Sequence, residues 1–338
     1  MVEFKVGDVI QNSKFKDFKI RDLCYVFRLQ KYKNCIFAQK SSTMNDNLFT
    51  ENLKQSTGFR VFIYLMILLV CTLLGTLVSQ FFVSTDPTLL KISQGISSTL
   101  IFIVPPVVHY FITRKEKPMQ ALGFQKVKSS WWFYILIGVV LMFVSLPVTN
   151  QLTTWNEGLQ LGGTLERLNE LIKNMEETAK ALTEKMLQVN TFGGLLFNLL
   201  VIALIPAIGE ELTFRGLLQQ SLTRGIKNAH VAIILSAAIF SFIHFQFMGF
   251  LPRMFLGILL GYMFYVSGSL WTSITMHFVN NGTAVVLYYL DYNGIISVDV
   301  DHFGATHEGW MVALSAVITT GLIVWAWKKK SHAECAEL

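Results

Sequence analysis

The sequence has few charged residues. Only 15% of its 338 residues are Asp, Glu, Lys or Arg, whereas soluble proteins average about 25%. Hydrophobic residues make up 52%, and several apolar runs approach the roughly 20 residues that cross a bilayer as a helix. The alternating segments of about 10 residues that are typical of a membrane β-barrel are missing. The composition therefore predicts an all-α, polytopic transmembrane helical bundle in the cell membrane.

The chain also lacks the cysteine patterns of zinc-binding and disulfide-rich proteins. Its four cysteines have neither metal-ligand spacing nor a paired framework, so we expect free thiols. They are Cys24, Cys35, Cys71 and Cys335.

The first 43 residues lack the apolar core of a cleavable signal peptide. They hold nine Lys or Arg against four Asp or Glu. We attribute this basic charge to attraction to anionic lipid rather than to nucleic acid, which is not expected as a partner. Met44 offers an alternative start, so residues 1–43 are either an accessory segment or an artefact of start-codon choice.

The hydropathy pattern predicts about eight membrane spans. Gly257 and Gly261 give the sixth of them a GxxxG spacing, which favours close helix contact. The spans lie near residues 59–83, 94–113, 131–150, 191–209, 230–248, 252–267, 270–290 and 309–327.

The distribution of basic residues orients these spans. Lys and Arg are found in the loops after the second and fourth spans and in the tail after the eighth, whereas the last outer loop is acidic. Basic segments favour the cytoplasmic side, and with eight spans all three share one side. Both termini are therefore predicted to be cytoplasmic.

The chain is predicted to divide into five parts. A basic cytoplasmic segment is followed by three spans, an extracytoplasmic loop, a core of four spans, and an outer loop with the last span and a basic tail. Their ranges are 1–57, 58–150, 151–190, 191–290 and 291–338.

Residues 164–188 differ from their surroundings, because their leucines, isoleucine and methionine recur at helical spacing between charged residues. This pattern predicts an amphipathic helix outside the membrane. Such a helix either lies on the bilayer or covers the bundle, and a connector that shields loops is the simpler interpretation.

Ionisable and amide side chains interrupt the apolar second half of the chain at three neighbouring spans. Each such group costs a few kcal/mol at membrane depth unless it is paired or faces a cavity. Their grouping predicts one shared polar site. The residues are Glu210, Glu211, Arg215, His244, His277 and Asn281.

Helical spacing suggests how these groups are divided. Glu211 and Arg215 are four residues apart and can pair, and His277 and Asn281 are also four apart and can point into one pocket. Glu210 is turned about 100° from Glu211, so it can face that pocket while Glu211 is held by Arg215. A carboxylate, two histidines and an asparagine suffice for attack of water on a peptide carbonyl. By spacing alone, catalysis, transport and structural pairing all remain open.

Three short motifs resemble those of a known family. "EELTFR" fits EExxxR at Glu210–Arg215, "FSFIH" fits FxxxH at Phe240–His244, and "HFVNN" fits HxxxN at His277–Asn281. In this order, on separate spans, they resemble the CPBP family of intramembrane proteases. This family is also called Abi, and it includes CAAX prenyl endopeptidases.

The resemblance implies roles for the matching residues. Glu210 would activate water with His244 as its partner, and His277 and Asn281 would stabilise the oxyanion. Glu211 and Arg215 would shape the site or position the substrate. We favour catalysis without a metal. Zinc bound by Glu210, His244 and His277 is the alternative.

The resemblance thus predicts an endopeptidase that cleaves a membrane-anchored or prenylated peptide or protein in the bilayer. We expect the site to face the cytoplasmic leaflet, because Glu210 is predicted to lie at the inner end of its span. Two other functions stay open. One is an immunity or scaffold protein that binds without cleaving, and the other is a transporter that uses the same residues as a proton or ion relay.

Overall fold

The computed structural model describes residues 57–81, 86–113, 121–124, 131–159 and 166–336. The predicted basic N-terminal segment up to residue 56 and the basic residues of the loop after the second span lie outside these ranges. Within them the chain forms helices and no strand, so the prediction of an all-α polytopic bundle is confirmed.

The helices are numbered here in chain order. They are α1 (Thr57–Phe81), α2 (Pro87–Thr113), α3 (Trp131–Val144), α4 (Leu146–Glu157), α5 (Glu166–Leu187), α6 (Phe192–Ile226), α7 (Ala229–Phe242), α8 (Phe250–Ser267), α9 (Leu270–Tyr292) and α10 (Gly309–Ala336).

Five of the described helices are long and apolar enough to cross a membrane, namely α1, α2, α6, α8 with the turn before it, and α10. The pair α3 and α4, bent by 46°, would make a sixth. Helix α7 has only 14 residues, and α9 has 23 but carries several polar side chains. Each predicted span falls on one of these helices or on the bent pair, while the number of crossings stays a prediction.

Helix α6 is longer than expected. The predicted span ended at residue 209, directly before the two glutamates, but the helix continues for 35 residues, from Phe192 to Ile226. Pro206 has no N–H to donate, so the regular bonding pattern is interrupted near it. Wider π turns occupy Leu199–Leu204 before this point and Leu212–Gln219 after it. Glu210 and Glu211 therefore lie in the middle of a continuous helix, not at its end.

Helices α7 and α8 pack closely. A Cβ atom built on Gly257 would lie 2.9 Å from the Cβ of Ala237, and one on Gly261 would lie 2.9 Å from Cγ2 of Ile233. Both distances are too short for real Cβ contacts. The glycine spacing seen in the sequence thus marks a real close contact between helices.

An apolar core holds α3, α8, α9 and α10 together. Its fully buried side chains include Leu141, Leu260, Met263 and Met276. This cluster fixes α9 against α8, and these two helices carry several of the polar residues described below.

Helix α5 confirms the helix predicted for residues 164–188. Its apolar residues Leu171 and Met175 are exposed, as expected for a helix with one face toward lipid. Its charged face is turned toward the bundle, where Glu176 and Lys180 line a cavity.

Candidate active site

A cavity of about 690 Å³ lies among helices α3 to α9, within the size range of typical ligand sites. Of the residues singled out in the sequence, Glu210, His244, His277 and Asn281 line it. Glu211 and Arg215 lie behind it, in the packed interior. The structure therefore brings the four proposed reactive side chains together from three helical segments.

The carboxylate of Glu210 faces both histidines. Its Oε2 atom lies 3.9 Å from Nε2 of His244 and 3.8 Å from Nε2 of His277. The side chain of Glu210 is 12% exposed, so it contacts the cavity without being open to bulk solvent. These separations are too long for direct hydrogen bonds, but they suit a shared water molecule.

A hydrogen bond at Nδ1 orients each of the two imidazole rings. Nδ1 of His244 lies 2.7 Å from the carbonyl oxygen of Phe240, to which it must donate. Nδ1 of His277 lies 3.0 Å from Oε1 of Glu211 and donates to that carboxylate. In their neutral forms the two rings therefore present the lone pair of Nε2 to Glu210.

The second glutamate is held in a dry ion pair. Nη1 of Arg215 donates to Oε1 of Glu211 at 2.8 Å, and the two side chains are 1% and 0% exposed. Nη2 of Arg215 donates to the carbonyl oxygen of Gly257 at 2.9 Å, and the guanidinium lies 4.9 Å from the ring centre of Phe240. The pairing predicted from the four-residue spacing is present. The bond from Arg215 to Gly257 links α6 to α8.

Asn281 has a neighbour that the sequence interpretation overlooked. Nδ2 of Asn280 donates to Oδ1 of Asn281 at 3.1 Å, and both side chains line the cavity. The bond orients the amide of Asn281, which also carries two N–H donors.

The turn that carries His244 is tied down at several points. Phe245 has a φ of 52°, a left-handed conformation that is uncommon for a bulky residue and needs such support. Asn156 of α4 donates to the carbonyl oxygen of Phe247 at 2.7 Å and accepts from the N–H of Leu251 at 2.6 Å. Glu176 of α5 accepts from the N–H of Met248 at 2.6 Å.

Arg253 and Glu176 also line the cavity, and neither was singled out in the sequence. The sequence could have indicated Arg253, because it is an ionisable residue inside the predicted sixth span, where such a group is costly. Glu176 had none, because its contact with Met248 joins two distant segments of the chain.

The side of the membrane that the site faces stays a prediction, and the lining of the cavity bears on it. Glu210 lies in the middle of α6, and Glu176, Lys180 and Asp301 line the same cavity. The sequence prediction assigns α5 and the segment of Asp301 to the extracytoplasmic side. On that assignment, the cavity extends toward the outer side of the membrane.

A zinc ion bound by Glu210, His244 and His277 was the alternative chemistry. Their Nε2 and Oε2 atoms are turned toward one another, but as placed they do not form a group that could hold a metal ion. The described ranges contain no other such group of His, Cys, Asp and Glu.

Comparison with known families gives a match in the region that holds the cavity. Residues 192–283 match the family model of the Rce1-like type II CAAX prenyl endopeptidases. This range contains all three motifs and most of α6 to α9. No curated protein and no solved structure matches the chain. Residues 192–283 of this multi-pass helical membrane protein therefore form an Rce1-like domain of the CPBP family of intramembrane proteases.

Proposed function

We propose that this protein is an intramembrane endopeptidase that hydrolyses a peptide bond of a membrane-associated or lipidated substrate. The Rce1-like domain supports CAAX-type endopeptidase activity in general terms. The observation that carries the specific proposal is the position of Glu210. Its carboxylate faces two imidazole nitrogens inside a cavity, while the neighbouring Glu211 is engaged by Arg215.

In this mechanism, Glu210 is the general base. A water molecule held between Glu210 and His244 gives a proton to Glu210 as its oxygen attacks the substrate carbonyl. The lone pair on Nε2 of His244, set by the bond from Nδ1 to Phe240, accepts the second hydrogen of that water and orients it. Glu210 then passes its proton to the nitrogen of the departing amine.

Side chains of α9 stabilise the negative charge that develops on the carbonyl oxygen. The amide of Asn281 lines the cavity and carries two N–H donors, while its oxygen accepts from Asn280. His277 donates from Nε2 when its ring carries both hydrogens, with Nδ1 bonded to the carboxylate of Glu211. Donors fixed before the reaction stabilise such an oxyanion without reorganisation, which is commonly a large part of catalysis.

The position of the cavity limits the substrate. Glu210 lies in the middle of α6, which is long and apolar enough to cross a membrane, so we expect the scissile bond to be cut at membrane depth. A peptide attached to lipid, or part of a membrane protein, is held at that depth before it binds. We therefore propose a membrane-anchored or prenylated substrate in the cell membrane.

The proposal is tested with the purified full chain in lipid nanodiscs. Farnesylated and acylated peptides are incubated with the protein, and the products are identified by mass spectrometry. We expect cleavage by the wild type and its loss in Glu210→Gln and His244→Ala. Glu170→Gln, an exposed change on α5 with the same loss of charge, should cleave normally.

Other outcomes separate the alternatives. Undiminished cleavage by Glu210→Gln or His244→Ala would refute the mechanism. Binding of peptide by the wild type without cleavage would favour the scaffold or immunity function. Proton or ion flux that depends on Glu210 in the absence of peptide would favour transport. Loss of wild-type cleavage on treatment with a zinc chelator, restored by zinc, would favour the metal variant.

A further inference from the structure

The proposed mechanism leaves one cationic side chain of the cavity without a role. Arg253 lies near the start of α8, is partly buried and lines the same cavity as Glu210. A charged residue within a membrane helix is costly unless it is compensated. Its presence beside the reactive groups therefore needs a physical explanation.

The guanidinium of Arg253 is held in one orientation by the turn before α8. Nη2 donates to Oε1 of Gln246 at 2.7 Å, and Nη1 donates to the backbone oxygen of Gln246 at 3.2 Å. The group also packs over Gly249, where an added Cβ would lie 3.0 Å from Nη2. Both acceptors are neutral oxygens, so they fix the position of the charge without neutralising it.

The described residues place no carboxylate within 4.0 Å of this guanidinium. Glu210 and Glu176 are the acids that interact with it through space. Glu176 already accepts the N–H of Met248, and Glu210 faces the two histidines. An arginine has five N–H donors, and Gln246 engages two of the groups that carry them, so further donors are left for a ligand in the cavity.

We propose that Arg253 binds a carboxylate of the substrate and so positions the peptide next to Glu210. This inference rests on the proposed function and specifies its substrate class: a peptide with an anionic group near the scissile bond. A planar guanidinium matches a carboxylate through two parallel hydrogen bonds, which fix direction as well as distance. The cavity is small, so this carboxylate lies within a few residues of the bond that is cut.

The carboxylate has two sources, the C-terminus of the peptide chain and the side chain of an Asp or Glu. Three lipid-anchored peptides of the same sequence distinguish them. The first has a free C-terminal acid and one acidic residue. The second has a C-terminal amide, and in the third the acidic residue is replaced by its amide.

The test measures kcat/KM for each peptide with the wild type and with Arg253→Met. Hydrogen bonds to charged groups contribute about 1.5 to 3 kcal/mol, so removing the recognised carboxylate should lower the wild-type value roughly 10- to 100-fold. For the acid peptide, Arg253→Met should have a kcat/KM lower than that of the wild type by a similar factor. For the amide that lacks the recognised carboxylate, the kcat/KM of Arg253→Met should be close to that of the wild type. The kcat/KM of Arg253→Lys on the acid peptide should lie between those of the wild type and Arg253→Met, since lysine keeps the charge but not the planar pair of donors.

Equal losses of Arg253→Met on acid and amide peptides would overturn the proposal, because Arg253 would then act through Glu210 or through folding. Thermal unfolding of each variant detects a folding defect directly. Gly249→Ala offers a second variant that displaces the guanidinium and keeps its charge, and it too should weaken the preference for acid. Gly193→Ala, where an added Cβ meets nothing within 4 Å, is its matched control.

Binding separates this inference from the proposed function. Glu210→Gln retains Arg253, so it should bind the acid peptide at least about 10-fold more tightly than the corresponding amide. The preference should vanish when Arg253→Met is added. If the wild type cleaves no peptide, the proposed function fails while this preference still tests Arg253. If Glu210→Gln shows no preference for acid over amide, the carboxylate site is wrong whatever the cleavage assay gives.

Discussion

Glu210 and Glu211 are neighbours in the sequence, yet the two sides of α6 on which they lie differ completely. Glu210 faces a cavity and two imidazole rings with no arginine within ion-pair distance among the described residues. Glu211 is fully buried between Arg215 and His277. The helical turn of about 100° per residue produces this separation. Position on the helix, and not residue type, decides which carboxylate is reactive and which is structural.

The two sides of α6 that carry Glu210 and Glu211 also depend on each other. His277 belongs to both, because its Nδ1 contacts Glu211 and its Nε2 faces Glu210. The dry ion pair therefore orients one of the rings that line the cavity. A change on the structural side should affect stability first and activity through that ring.

The largest expected effect comes from exchanging the two glutamates in turn for glutamine. Glu210→Gln should reduce cleavage by about 10²- to 10⁴-fold, the usual contribution of a general base, with little change in unfolding. Glu211→Gln should instead destabilise the protein, because it leaves the charge of Arg215 buried without its counterpart. Thermal unfolding in detergent and the peptide assay, run on both variants, measure the two effects. A reversed pattern would contradict the assignment of roles.

The next effect isolates the buried ion pair. Arg215→Met should cost about 3 to 5 kcal/mol in the free energy of unfolding, because one partner of a buried pair is left without its counterion. The double variant Glu211→Leu with Arg215→Met should recover much of this loss, because no charge then remains buried. Denaturant unfolding of the two single variants and the double variant gives the coupling. If the double variant is as unstable as the sum of its parts, the pair does not act as a unit.

A smaller effect concerns the close contact that supports Arg215 from α8. Gly257→Ala should cost about 1 to 3 kcal/mol, because its Cβ would lie 2.9 Å from Ala237 and the helices would have to separate. Gly321→Ala in α10 meets nothing within 4 Å and should leave stability nearly unchanged. The difference between the two in thermal unfolding measures the cost of separating α7 and α8. Equal stability of the two variants would mean that the contact is not tight.

The smallest effect lies at the edge of the cavity, where Lys180 of α5 donates to Asp301 at 2.5 Å and Tyr288 donates to it at 2.6 Å. Burial opposes ionisation of Asp301, but these hydrogen bonds outweigh it and place the pKa below its usual value. The contact is therefore present at neutral pH and is lost as the pH falls through this lowered pKa. The pair is partly exposed, so it should contribute at most about 1 kcal/mol.

Hydrogen exchange of the α5 backbone measures this contribution. Acidification should speed exchange in the wild type, after correction for the intrinsic pH dependence, and Asp301→Asn should exchange faster already at neutral pH. An identical corrected pH profile in the variant would show that Asp301 does not hold α5.

The sequence predicted those parts of the site that depend on local spacing. The pair of Glu211 and Arg215 and the shared pocket of His277 and Asn281 follow from residues four apart on a helix. It failed at the end of α6, because the two carboxylates resembled the end of a span, whereas the helix continues past them to Ile226. It also gave no role to Arg253, whose surroundings come from a turn and not from helical spacing.

The shortness of α7 has a consequence for the lipid around the protein. Fourteen residues span only about 21 Å as a helix, less than the roughly 30 Å of a bilayer's hydrocarbon core. Phe242 and Phe245 are exposed where this helix stops. If α7 crosses the membrane, as the sequence predicts for residues 230–248, the acyl chains beside it have to compress or tilt to meet the protein, at a cost that grows with their length. Lipids with shorter tails should suit this side of the protein better than lipids with longer ones.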